Sequence, residues 1–135
     1  MGNEQIIADL NEILTLEYTA VLQYTYQTFV VRGLERPRFV TMFQGEATES
    51  LAHAQLVGSK IVALDGIPTT TIGKLDATQD LMTMLKNDLG MERRAVELYT
   101  QALEHAGDDI SLRTLLEGQV AAEKASVEEF ELLLG

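Results

Sequence analysis

Glu17, Glu92 and Glu123 each stand where a helical apolar stripe should carry a hydrophobic residue. Glu17 falls between Leu14 and Val21, Glu92 between Leu89 and Val96, and Glu123 between Val120 and Val127. Glu46, Ser50 and His53 interrupt a fourth stripe that runs from Phe43 to Val57. Residues three, four and seven apart share a helix face, so these groups face the same way as their apolar neighbours. An ionised carboxylate in a low-dielectric interior is costly unless it is paired or holds a metal. The chain has 10 Lys and Arg against 21 Asp and Glu, and none of the cations falls at mid-stripe. Inward carboxylates with one imidazole and no matching cation call for a divalent ion. An oxygen-rich set with one nitrogen suits iron, manganese or zinc better than copper.

Spacing assigns roles within this set. Glu49 and His53, four residues apart, share a face and can grip one ion. Glu46 is seven residues from His53, about 10.5 Å along a helix axis, too far to share that ion. It reads as a supporting residue or as a step on an ion path. Tyr24 and Tyr99 each lie two turns beyond a candidate ligand, where a phenol can donate a hydrogen bond to a ligand carboxylate. Other residues have plainer readings. His105 sits in the last turn of its helix, a favourable place for a cation. Met82, Met84 and Met91 read as core or boundary packing. Glu128, Glu129 and Glu131 read as a solvated face.

Four elements must position these groups. Apolar residues recur with a period near 3.6 over residues 3–32, 37–64, 77–106 and 110–134, and no strand signal appears. Gly33 to Pro37 breaks the first helix from the second, and Gly107 to Asp109 breaks the third from the fourth. Asp76 with Gln79 reads as an N-cap and capping box for the third helix. A link of about 11 residues then joins the second helix to the third, long enough to reverse the topology. The fold class expected is all-α: an antiparallel four-helix bundle of two hairpins and one long crossover. A repeat supports two related halves: the segment from Glu17 to Thr25 matches that from Glu92 to Thr100 at Glu, Ala, Val, Tyr and Thr.

Composition sets the outer limits. At 135 residues with 46% hydrophobic and 23% charged residues, the chain reads as one globular domain over residues 1–135. The absence of cysteine excludes a disulfide scaffold, a thiolate zinc site and an iron–sulfur cluster. A net charge of −11 disfavours nucleic acid and anionic membranes as partners. The first residues lack a basic n-region and an apolar h-region, so a cytoplasmic chain is expected.

The segment from Leu14 to Tyr24 resembles the first-helix ligand segment of ferritin-like proteins, nearest to bacterioferritin. His53-Ala54 followed by Leu64-Asp65-Gly66-Ile67-Pro68 resembles the second helix and its exit. Gly73-Lys74-Leu75, Met84-Leu85, Asp88-Leu89 and Arg113 to Leu116 extend the likeness over nearly the whole chain. The resemblance implies a di-iron centre: one Glu from the first and third helices and a Glu-x-x-His pair from the second and fourth. It carries over to Glu17, Glu92, His53 and Glu123 as ligands. This chain departs at two places. Ser50 stands where the second-helix Glu is expected, with Glu49 as the nearby substitute, and Ser126 stands in place of the fourth-helix His. Leu51 replaces the methionine that holds haem, so haem is not expected. The chain ends after the fourth helix, without the family's short fifth helix. The resemblance therefore leaves a dimer or a smaller cage open beside a 24-subunit shell.

The function this implies is a ferritin-like di-metal carboxylate protein that binds Fe(II) and oxidises it with O2 or H2O2, working as a homo-oligomer. A rubrerythrin-like peroxidase or oxidase, and a metal-poor structural bundle, are the alternatives.

Overall fold

The computed structural model describes residues 2–135, and Met1 lies outside the described residues. Four helices follow one another: α1 (Glu4–Val30), α2 (Arg36–Ala63), α3 (Leu81–Glu104) and α4 (Ile110–Leu134). No strand occurs among the described residues. α1 packs against α2, α3 packs against α4, and α1 also runs beside α3. Side-chain bonds fix the direction of the last pair: Asp9 meets His105, Glu17 meets Tyr99 and Tyr24 meets Glu92, so α1 and α3 are antiparallel.

The helix ends follow local chemistry. Pro37 lies in the first turn of α2, where its missing N–H breaks no helical bond. α2 closes with Asp65 in the left-handed region at φ 66° and the Gly66 N–H returned to Ile61 O at 2.8 Å. A side chain at Gly66 would come within 2.8 Å of Ile7 Cγ2, so only glycine lets the crossover leave against α1. His105 ends α3, and its Nδ1 meets Asp9 Oδ2 at 2.5 Å.

The start of α3 corrects the sequence reading. The helix begins at Leu81, not near residue 77, and its cap is Asp80, not Asp76. Asp80 Oδ2 accepts from the Thr83 N–H at 2.9 Å and from the Thr83 hydroxyl at 2.7 Å. The residues before it are not helical and are tied to α1. The Asp76 N–H donates to Gln23 Oε1 at 3.0 Å, and Tyr26 donates to Ala77 O at 3.3 Å. The crossover is consequently 17 residues, 64–80, and longer than its composition indicates. Further bonds from Asn11 to Ile67 and Thr69, and from Gly73 to Thr19, strap it to α1 along its length.

The core is divided. One apolar cluster contains Leu10, Ile13, Leu14, Val57, Ile61, Leu112 and Leu116. The other contains Tyr24, Phe39, Phe43, Met84, Leu85, Val127 and Phe130, with Tyr24 stacked on Phe43 and Phe130 at 6.3 and 6.4 Å between ring centres. Of the three methionines read as packing, Met84 is fully buried and Met91 half-buried, whereas Met82 is exposed on the solvent side of α3's first turn. Between the two clusters lies a buried polar layer of Glu17, His53, Glu92 and Glu123, one residue from each helix. Apolar packing on both sides fixes the helix register, and the register delivers the four side chains to one level.

Candidate metal centre

His53 is the hub of the layer. Its Nδ1 lies 3.1 Å from Glu17 Oε2 and 2.9 Å from Glu123 Oε1. These three residues offer ligand atoms all within 4.8 Å of one another, and all three are buried. Burial alone would lower the His53 pKa, but the hydrogen bonds to Glu123 and Glu17 outweigh it and push it up to about 10. Without metal the ring is therefore an imidazolium that donates to the two carboxylates.

Glu92 completes the level by a different route. Burial holds its carboxyl protonated well above the usual carboxylate range, and the proton is donated to Glu123. Tyr24 donates to Glu92 Oε1 at 2.6 Å. Tyr99 donates to Glu17 Oε2 at 2.6 Å, and Gln119 Nε2 donates to the Tyr99 oxygen at 3.4 Å. Burial pushes both phenols well above their ordinary range, so each stays a donor. The tyrosines thus act as the spacing indicates, but crosswise: each holds the carboxylate of the opposite helix.

Glu49 and Glu46 stand at the edge. Glu49 Oε1 is 3.6 Å from His53 Nε2, and its side chain is 42% exposed, so it faces the open side of the imidazole. Glu46 is half-buried one turn earlier, and burial, then Glu92, push its carboxyl up to about 8. Ser50 and Ser126 are both buried, and neither hydroxyl bonds to Glu17, His53, Glu92 or Glu123. Sequence reasoning missed Gln119, which sits on the apolar stripe between Leu116 and Glu123 and carries no charge to draw notice. It also missed Asp88, Gln23 and Gln27, although Gln23 and Gln27 are spaced by one turn on α1 and Asp88 lies one turn before Glu92.

The layer is a set of buried acids held together by protons: one on His53 and one shared by Glu92 and Glu123. No Lys or Arg pairs with it among the described residues. A divalent ion can displace those protons and take the same oxygens and nitrogen as ligands. Oxygens with one imidazole suit iron and manganese, and the residues present fit such an ion.

Comparison with known proteins agrees with the geometry. The ferritin-like domain profile matches residues 7–135. Bacterioferritin from Streptomyces coelicolor is 25% identical over 98% of this chain and 81% of its own length. Bacterioferritin BfrA from Mycobacterium tuberculosis is 26% identical over 98% of this chain and 86% of its own. A crystal structure of ferritin-like diiron-carboxylate proteins from Bacillus anthracis superposes with a TM-score of 0.97, at 28% identity, covering 100% of this chain and 99% of the other. A dodecameric thioferritin from Bacteroides fragilis superposes at 0.87 with 24% identity, covering 95% and 83%. Four helices with a long crossover, a buried carboxylate layer and a profile match over residues 7–135 establish that this chain belongs to the ferritin-like family.

Proposed function

We propose that the chain binds iron in the buried layer and oxidises Fe(II), with O2 or H2O2 as oxidant. Glu17, His53, Glu92 and Glu123 are the ligands, and Glu49 joins from the edge in the place that Ser50 leaves empty of a carboxylate. The observation that carries this reading is the meeting of Glu17, His53 and Glu123 within 4.8 Å, with no Lys or Arg among the described residues to neutralise them. Bound iron supplies the electron that the oxidant takes.

The chain's own residues do the rest. Tyr99 and Tyr24 orient the Glu17 and Glu92 carboxylates and keep one oxygen of each engaged. His53 loses its proton when metal arrives, which turns a donor into a nitrogen ligand. Glu49 and Glu46, the two carboxyls nearest solvent, mark the entry for Fe(II). Leu51, where a haem methionine would stand, lies on the outer apolar surface with Tyr18, Leu22 and Ile72. That surface supports self-association of the chain rather than haem binding. No helix of the described residues is long and apolar enough to cross a membrane.

Aerobic Fe(II) titration of metal-free protein tests the proposal. Near two irons per chain oxidised faster than Fe(II) in buffer is the expected result. Uptake far beyond that adds storage. One iron or none, with no rate enhancement, favours the structural reading in which Ser50 and Ser126 have disabled the centre.

A further inference from the structure

The α1–α3 interface holds a second polar cluster, displaced from the metal centre toward the start of α3. Asp88 precedes Glu92 by four residues, about 6 Å along the axis. Its side chain is fully buried. Oδ1 accepts from Gln23 Nε2 at 3.1 Å and from Gln27 Nε2 at 2.7 Å. Oδ2 has no partner, and neither has Oε1 of Gln27, which is also fully buried. Gln23 is not free to turn, because its Oε1 already accepts from the Asp76 N–H at 3.0 Å.

Buried acceptors left without a donor are costly and rare. The charges nearby make matters worse. Asp76 acts on Asp88 as a like charge, and Glu92 and Glu46 do so whenever they are ionised. Burial pushes the Asp88 carboxyl up to about 7, so a proton answers its charge at lower pH. Once that proton is lost, a water molecule would offer hydrogens to the two oxygens but leave the negative charge unanswered. A cation answers both. We propose that Asp88 Oδ2 and Gln27 Oε1 hold a small hard divalent cation at a mononuclear station separate from the Glu17–His53–Glu123 centre. A carboxylate and an amide carbonyl, with water completing the shell, suit Mn(II), Fe(II) or Mg(II). The station contains no imidazole, so zinc prefers the centre while Mn(II) enters both. Gln23 and Asp76 line a surface groove with Thr19, Asn87, Lys74 and Arg94, which brings solvent to the outer side of the cluster.

Mn(II) binding to the metal-free full chain, counted by electron paramagnetic resonance, tests this. The wild-type chain should bind one more Mn(II) than Asp88→Asn. The Glu17→Gln/Glu123→Gln chain, whose centre is removed, should keep one Mn(II) and lose it when Asp88→Asn is added. These two results stand or fall apart from the centre itself. Equal counts with and without Asp88→Asn in both backgrounds overturn the proposal. Anomalous scattering from Mn(II)-soaked wild-type crystals gives a second reading that needs no variant. A peak between Asp88 and Gln27 supports the station, and water or no peak there overturns it.

Discussion

Glu17 and Glu92 occupy equivalent places in the two hairpins, and each accepts a 2.6 Å hydrogen bond from the tyrosine two turns beyond the other. Their remaining neighbours differ. Glu17 meets an imidazole at 3.1 Å. Glu92 meets another carboxyl, Glu123, and shares a proton with it. The fourth-helix position that would supply a second imidazole is Ser126. Geometry and equipment are therefore set separately. The apolar clusters on either side fix the register and the crossed tyrosines, and the ligand positions can change without disturbing either. The Glu17 half has an imidazole beside its carboxylate, whereas the Glu92 half has carboxyl oxygens alone.

The largest effect should come from Glu123, which touches His53 on one side and Glu92 on the other. Glu123→Ala should abolish binding in both halves, weakening it by more than about 100-fold, since even loss of a supporting hydrogen bond costs 10–100-fold. Iron stoichiometry and oxidation rate read this directly, and retention of one tight site would show that the halves do not share Glu123. His53→Ala should be more selective, removing the ion of the Glu17 half and sparing most binding at Glu92. Loss of both sites together would break the comparison.

Tyr99→Phe and Tyr24→Phe probe the shared feature. Each should weaken its own half by about 10-fold or more, with Tyr99→Phe acting on the Glu17 half and Tyr24→Phe on the Glu92 half. A calorimetric titration that shows the same step weakened in both variants would contradict the crosswise assignment. Ser126→His should have a smaller and opposite effect, tightening the weaker step by giving the Glu92 half its nitrogen.

Proton linkage gives the smallest effect per group, but its sign is definite. Asp88 and Glu46 are pushed up to about 7 and about 8, and His53 to about 10. For each, the folded pKa lies above the unfolded value. The stability they contribute is thus fully present at low pH and is lost as pH rises through about 4 to 10. Thermal unfolding of the metal-free chain should show Tm falling over that range, and saturating metal should restore it. A Tm that is flat or rising from pH 5 to 9 without metal would show that these groups are not held by protons.

Most of the buried polar layer was legible in the sequence because a carboxylate on an apolar stripe is an anomaly that helical periodicity exposes. Glu17, Glu92, Glu123 and His53 all fall in the buried layer for that reason. The crossing of the tyrosines was not legible, since it depends on the α1–α3 register and no local spacing reports it. The α3 start lies later than the sequence indicates because Asp76 and Gln79 mimic a capping box, while bonds from Asp76 and Ala77 to α1 hold that segment out of the helix. Asp88 escaped notice because its partners are glutamines, whose amides carry no charge to mark them as out of place.

We expect two metal positions of unequal strength in the buried layer. Anaerobic calorimetric titration of the metal-free Asp88→Asn chain with Fe(II) separates the two, since that variant leaves the centre to be read alone. Two saturable steps of different affinity, with protons released to the buffer, are predicted. A single step accounting for one ion, or no saturable binding, would contradict it.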